Sequence, residues 1–544
     1  MDLEGGGMVK GLSMEDHVLK SSFRMAYGLE AYAATSSVAE IMSELVKASL
    51  GPRGRVKLLV DKYGNFKVTG SGVEILKEVE AKHPVAKTLV EIAKTQNRNV
   101  RDGVKRAVIM AGKLAEEAYK LVGREGLHPN IVVRGYLAAT KMAVRFLREA
   151  ATPARSDGGL LFRAALTSVN GFNGGGHLAD IAVRVVKSVS GEVEDKVLVR
   201  VKEGGSVLDS EFVDGVIINK EVANPNMPRR VEEARILVVK QKLYIEKRFE
   251  HADYAVPELV LEDAGDLKAA LNTRREMALR WLKGILESGA NVVVNYYGID
   301  RVLEELMARH GILAVRRADE ESFKRLAEAC GAKIVGDVGR VAPSDLGYAR
   351  VVEERKVGGG ARADKMVFVR GCRNPKTVSV LVKGGTWEVA EEAERMLWKA
   401  IRAAYNVVRD GYVVGGGGAI EEEVAMRLRD YAEGVEGREQ FAIKAFANAL
   451  EEVPRVLALN AGANPVDVIA ELRVAHRSGD LWAGVDALSG RVRNMFEAGI
   501  VEAATVVEHA LKVAGETTVA LLGLDAIYVT KGRVLPGGRP EEGE

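Results

Sequence analysis

Cysteine is nearly absent from this chain of 544 residues: Cys330 and Cys372 are the only two. They form no metal-type pattern, and such sparing use points to a reducing compartment. No uninterrupted apolar run is long enough to span a bilayer, and "MDLEGGGMVKGLSMEDHVLK" lacks the apolar core of a signal peptide. A cytoplasmic protein is the expectation. An excess of one charge is missing as well. Lys+Arg number 78 against 76 Asp+Glu, which leaves no field to favour nucleic acid or a membrane surface. Aromatics are scarce at 6%, while helices such as "RVLEELMARH" and "EVAEEAERMLWKAIRAAY" mix both charge signs, as surface ion-pair networks of thermophilic proteins do. Neither His83 nor His476 stands in a metal-ligand spacing, so both read as packing or surface residues.

What is present is an ordinary globular balance, 47% hydrophobic and 28% charged, in a chain too long for one core. Residues 20 to 150 read mostly as long amphipathic helices. They are broken by a Gly-Pro stop at "GPRG" and by an alternating hairpin, "VKLLVDKYGNFKVTGSG", with "YGN" as its turn. The middle changes character. Short β-branched runs such as "ARILVVKQKLYIEK", "ANVVVNYYG" and "GILAVRRA" are separated by helices such as "LKAALNTRREMALRWLKGIL", an α/β pattern. Near 390 long helices return. The simplest architecture packs the two helical ends into one domain with the α/β segment inserted between them. Only the final "PGGRPEEGE" has a composition that predicts disorder.

The stretch "VRDGVKRAV", residues 100–108, sets Asp102-Gly103 directly before a helical run. An aspartate and a glycine at a helix entrance suit a phosphate–metal site, because the free N–H groups there attract anions. The following Val104, Lys105 and Arg106 stand where hydroxyl side chains would serve better. Glycines recur in "SLGPRG" and in "GGGG" at 415–418. Each alone reads equally as a helix cap or a loop. A dinucleotide fold is not indicated, since no βαβ unit surrounds "GGGG".

Nine strings in order, from "SLGPRG" and "HPVAKTLVEIAKTQ" through "DGVIINKEVANPNMPRRVEEARI" and "GCRNPKTVSVLVKGGT" to "VVGGGGAIEEEVAMRL" and "MFEAGIVEA", resemble the group II chaperonins, the archaeal thermosome and its eukaryotic cytosolic relatives. The resemblance spans roughly residues 20 to 528. It implies a multidomain α plus α/β chaperonin fold. Residues 1–19 would be a tail, 20–155 and 412–528 a helical equatorial domain, and 156–226 with 378–411 an intermediate hinge domain. Residues 227–377 would be an apical domain with a helical lid around "VPELVLEDAGDLKAALNTRREMAL", and 529–544 a second tail.

The same resemblance implies an ATP/ADP and magnesium site on Leu50, Gly51, Pro52, Gly54, Asp102, Gly103, Gly416, Gly417, Asp486 and Glu502, with Asp102 as the magnesium ligand. This chain departs from the family at the reacting end. Arg101 replaces a glycine, and Val104, Lys105 and Arg106 replace the phosphate-binding hydroxyls. Ser71 stands for a metal- and water-positioning aspartate, and Lys399 for the general base. Gly171-Phe172 and Val507 take the places of a Ser-Lys pair and a further lysine. A protonated lysine accepts no proton from water, so ATP hydrolysis is expected to be impaired or lost. Lys105, Arg106 and Lys399 are candidate bases to pair with Asp102 and fill the site. They could instead hold an anion or point to solvent.

The expected function is therefore a thermosome-like subunit that binds unfolded or partly folded protein in a double ring, built from itself or paralogous subunits. No nucleic-acid or membrane partner is indicated. An ordinary ATP-dependent chaperonin with a variant site, and a ring scaffold for a specific partner, are the alternatives.

Overall fold

The computed structural model describes residues 23–530 apart from 61–63, 65, 79–82, 155–156, 190, 245–263, 360–363, 374–376 and 525. The chain divides into two compact units: residues 1–167 with 406–544, and the inserted residues 168–405.

The first unit is built on the amphipathic helices legible in the sequence: Gly28–Lys47, Pro84–Val100, Val104–Tyr119 and Pro129–Ala150 from the N-terminal part, and Ala419–Glu433, Glu439–Leu450, Glu452–Ala461, Pro465–Arg477 and Ala504–Leu522 from the C-terminal part. Histidine caps two of them. The Nδ1 atoms of His83 and His128 accept from Val85 and Asn130 N–H, each just before a proline in the first turn. His83 thus has a defined role that its reading as a packing or surface residue omitted. Both halves feed one core. Leu89, Ile109, Leu114 and Tyr136 pack with Ile420, Leu428, Phe446 and Leu511, and Tyr136 meets Phe446 edge to face at 5.5 Å. Burying both ends in a single core makes their association obligatory for folding. Strands Phe23–Tyr27 and Ala526–Thr530 pair antiparallel. Strands Lys57–Val60 and Phe66–Thr69 form the expected hairpin, though most of its "YGN" turn lies outside the described residues.

In the second unit the short β-branched runs form a mixed sheet in the order 313–315, 292–295, 230–239, 347–357, 364–372, 215–218, with 334–335 beside 230–239. The strands joined through helices Arg301–Arg309 and Glu320–Cys330 are parallel. Strand 347–357 is antiparallel both to 364–372, the next strand along the chain, and to 230–239. A three-stranded sheet carries 197–203, 378–384 and 211–213. Of the proposed lid segment, 256–263 lies outside the described residues, and the rest belongs to helix Ala264–Ser288. The expected "GGGG" loop is a turn between strand Tyr412–Gly415 and helix Ala419–Glu433. That strand has only antiparallel neighbours, so no βαβ unit surrounds it.

Candidate functional site

The turn that raised the question of a phosphate site is tightly constrained. Helix Pro84–Val100 ends at Arg101, whose backbone is left-handed (φ 54°), and Gly103 (φ 69°) opens helix Val104–Tyr119 with no side-chain cap. Gly103 is needed twice over. Its φ is positive, and a Cβ there would lie 2.8 Å from Val506 Cγ1 and 3.0 Å from Gln96 Nε2. Between them, Asp102 Oδ1 accepts from Gly103 N–H at 2.8 Å. Gln96, fully buried, donates to Asp102 O (2.9 Å) and Val506 O (3.1 Å), and its Oε1 lies 2.6 Å from His509 Nδ1. Sequence reasoning did not find Gln96, because the carbonyls it serves are adjacent only in the fold.

One turn into the helix, the Arg106 side chain runs inward and is buried (7% exposed). Its Nη1 and Nη2 fork onto Glu502 Oε2 and Oε1 at 2.8 and 2.7 Å. Its Nε lies 2.6 Å from Glu421 Oε1, and Asp102 adds a further attraction. Burial opposes the charge, but the surrounding carboxylates outweigh it and raise the Arg106 pKa, so the guanidinium is permanently cationic. Arginine, which presents a planar fork of donors, suits such a seat better than lysine. The pairing expected with Asp102 is therefore chiefly a pairing with Glu421 and Glu502. Glu421, in the first turn after the glycine run, was not singled out in the sequence.

Lys105 takes another route. Its Nζ donates to Ser49 O at the end of helix Gly28–Lys47, and its stem packs over Gly72, where a Cβ would meet Lys105 Cγ at 2.9 Å. Asn460 Nδ2 serves the adjacent Lys47 and Leu50 carbonyls, each at 2.9 Å. "SLGPRG" is thus a helix C-terminus with its last carbonyls satisfied. Gly51 (φ 80°) backs onto Leu457 Cδ2, and Gly54 folds against Ser49 O. Pro52 sits in the turn between these two glycines. Ser71 donates its N–H to Thr69 Oγ1 (3.1 Å) and directly precedes helix Gly72–Glu78.

The glycine run closes the arrangement. Gly416 N–H bonds Ile500 O, and Val485 N–H bonds Gly417 O. A Cβ at Gly416 would approach Glu502 Oε1 within 3.1 Å, and one at Gly417 would meet Val485 O at 2.6 Å. Next to it, Asp486 is a turn-closing residue. Its Oδ1 takes Leu488 N–H, and its Oδ2 takes Ser489 Oγ and Arg493. Burial tends to raise this carboxyl, but those donors outweigh it and lower its pKa. The fold therefore brings together Ser49–Gly54, Gly70–Gly72, Asp102–Arg106, Gly416–Gly417, Asp486 and Glu502. Lys399 belongs to the second unit, on helix Trp387–Asp410, where its Nζ donates to Ser168 O at 2.5 Å. Phe172 N–H bonds Val169 O in the same unit, and Val507 is buried in the core of the first.

At the end of the site where phosphate and magnesium are expected, the basic side chains are engaged within the protein. The glycine faces abut protein atoms, Arg106 is already matched to carboxylates, and Lys105 is engaged by a carbonyl. Glu421 and Glu502 lie against the buried cation, and Asp102 adds a weaker negative influence. Among the described residues no three His, Cys, Asp or Glu side chains form a group able to hold a metal.

Comparison with known proteins is extensive. Residues 42–532 match the TCP-1/cpn60 chaperonin family. The chain is 39% identical to the thermosome subunit alpha of Archaeoglobus fulgidus, covering 95% of each protein. It is 40% identical to the thermosome subunit beta of the same organism, covering 97% of each, and 39% identical to the thermosome subunit of Methanopyrus kandleri, covering 96% of each.

Proposed function

The chain belongs to the TCP-1/cpn60 chaperonin family, and from that premise we propose that it is a thermosome-like subunit whose ATP hydrolysis is impaired or lost. It binds unfolded or partly folded protein in a double ring. The observation that carries this reading is Arg106, a buried guanidinium seated between Glu421 and Glu502 where the family pattern has a phosphate-binding hydroxyl. The loss of carboxylates at Ser71 and Lys399 supports it, since a missing general base alone costs roughly 10²–10⁴-fold in rate. The metal-positioning charge that phosphoryl transfer depends on is reduced as well.

Assembly with copies or paralogues is supported by the hairpin. Its cross-strand pairs Leu58–Val68 and Val60–Phe66 share one face, and all four side chains are more than half exposed. A two-stranded hairpin with a bare apolar face is marginal alone. Within the two units we assign residues 20–155 and 412–528 to the equatorial domain, 156–226 and 378–411 to the hinge, and 227–377 to the apical domain. No helix among the described residues is long and apolar enough to cross a membrane, and the proposed setting is the cytoplasm.

Aggregation of a heat-denatured model protein, followed by light scattering with and without Mg-ATP, tests the reading. Suppression without nucleotide, unchanged when Mg-ATP is added, is the expected result. Suppression relieved by ATP-driven release would favour the ordinary ATP-dependent chaperonin. No suppression would favour a ring scaffold.

A further inference from the structure

We propose that Asp102, Glu421 and Glu502 form a cation pocket whose resident is the chain's own Arg106 guanidinium. This tethered cation holds the turns around it in one state that Mg-nucleotide neither forms nor releases. The inference deepens the proposed function and rests on it, because it concerns the regulation of the same site.

The geometry is that of a cation seat. Three backbone elements reach it: the Asp102–Gly103 entrance of helix Val104–Tyr119, the first turn of helix Ala419–Glu433, and strand Val501–Ala503. Each carries one carboxylate. Glu421 and Glu502 lie against the guanidinium, which spans 396 positions of sequence between Arg106 and Glu502, and Asp102 adds a weaker attraction. Without a positive charge, buried Glu421 and half-buried Glu502 would repel one another in a poorly solvated setting.

The fit is incomplete, which marks the seat as distinct from a simple ion pair. Glu421 is 1% exposed, yet its oxygens find no well-aligned donor beyond its own backbone N–H. Arg106 Nε lies close to Oε1 but off the N–H direction, and that N–H is itself unsatisfied. An unsatisfied buried carboxylate is costly, and burial raises the Glu421 pKa against the pull of Arg106. The pocket therefore has acceptor capacity that the tethered guanidinium does not reach. Once the tether is cut, a free guanidinium ion can reorient to use it.

The test uses the full-length protein as purified, comparing wild type, Arg106→Ala, Arg106→Lys and the double variant Arg106→Ala/Glu502→Gln. Thermal unfolding is followed in millimolar guanidinium chloride, in magnesium chloride and in Mg-ATP, each at ionic strength matched with sodium chloride. The wild-type Tm is expected to be unmoved by all three. Arg106→Ala should lose on the order of 10 °C and regain part of it saturably with guanidinium but not with sodium. The double variant should show no such recovery. Arg106→Lys keeps the charge without the fork and should fall between wild type and alanine, and it serves as the readout if Arg106→Ala does not fold. An Arg106→Lys protein as stable as wild type would overturn the inference. So would an Arg106→Ala protein that is unaffected, or one that guanidinium does not rescue. Steady-state turnover of ATP by the wild type would overturn the underlying reading instead. Absent rescue in a protein without turnover defeats this inference alone.

Discussion

Glu422 makes the single-residue energetics testable. It is fully buried one position after Glu421, with neither oxygen hydrogen-bonded. Glu451 lies nearby, held by Arg429 and Arg473 at 2.6 Å each. Burial first, then the Glu451 charge, push the Glu422 carboxyl up to about 7, against Arg429, His476 and Arg473. A raised carboxyl pKa means that the folded state holds the proton more tightly than the unfolded chain. Its stabilising contribution is full below about pH 4.5 and is lost as pH rises through about 7. Glu422→Gln should therefore gain on the order of 1–3 kcal/mol over wild type at pH 8 and little at pH 4. Urea melts at the two pH values check this, and an equal effect at both would contradict it. His476 belongs to the same region and takes the packing side of its reading as a packing or surface residue. Its ring is buried with Nδ1 2.9 Å from Glu423 Oε2 and Nε2 2.9 Å from Ala483 O. None of this was legible, because Glu422 and His476 sit on separate helices, Glu451 lies in the turn between two others, and no local spacing records their meeting. Asp102, Gly103 and the basic residues after them were legible, because a cap and a turn are local events.

At the scale of the element, the helices and strands were largely readable because their signal is periodic and short-range. The hairpin shows both the strength and the limit of that signal. Its alternation located strands Lys57–Val60 and Phe66–Thr69, but alternation alone did not reveal that the apolar face would be exposed. Replacing Leu58 by Lys and Phe66 by Glu puts opposite charges on diagonal positions of that face, which avoids mutual repulsion. The pair should reduce or abolish the oligomer by light scattering after gel filtration. The protomer Tm should move little, since exposed positions away from special features change stability by only about 0.5 kcal/mol. An unchanged oligomer mass would remove the hairpin from the interface. The glycine run was legible as a turn, but its partners Ile500 and Val485 were not. Contacts between residues tens of positions apart leave no trace in periodicity.

For the whole molecule, a helical unit assembled from both chain ends and an inserted α/β unit follow the order of composition along the sequence. The chemistry does not follow from that order; on the proposed reading it is decided by a few side chains, Lys105 and Arg106 among them, whose charges are engaged within the protein. Steady-state ATP hydrolysis by the purified oligomer with magnesium, read beside calorimetric nucleotide binding, tests this most directly. The expected result is no turnover above the no-protein background across temperature. Turnover at a rate typical of chaperonins, lost in Asp102→Ala, would contradict it and show that other residues carry the roles missing at Ser71 and Lys399.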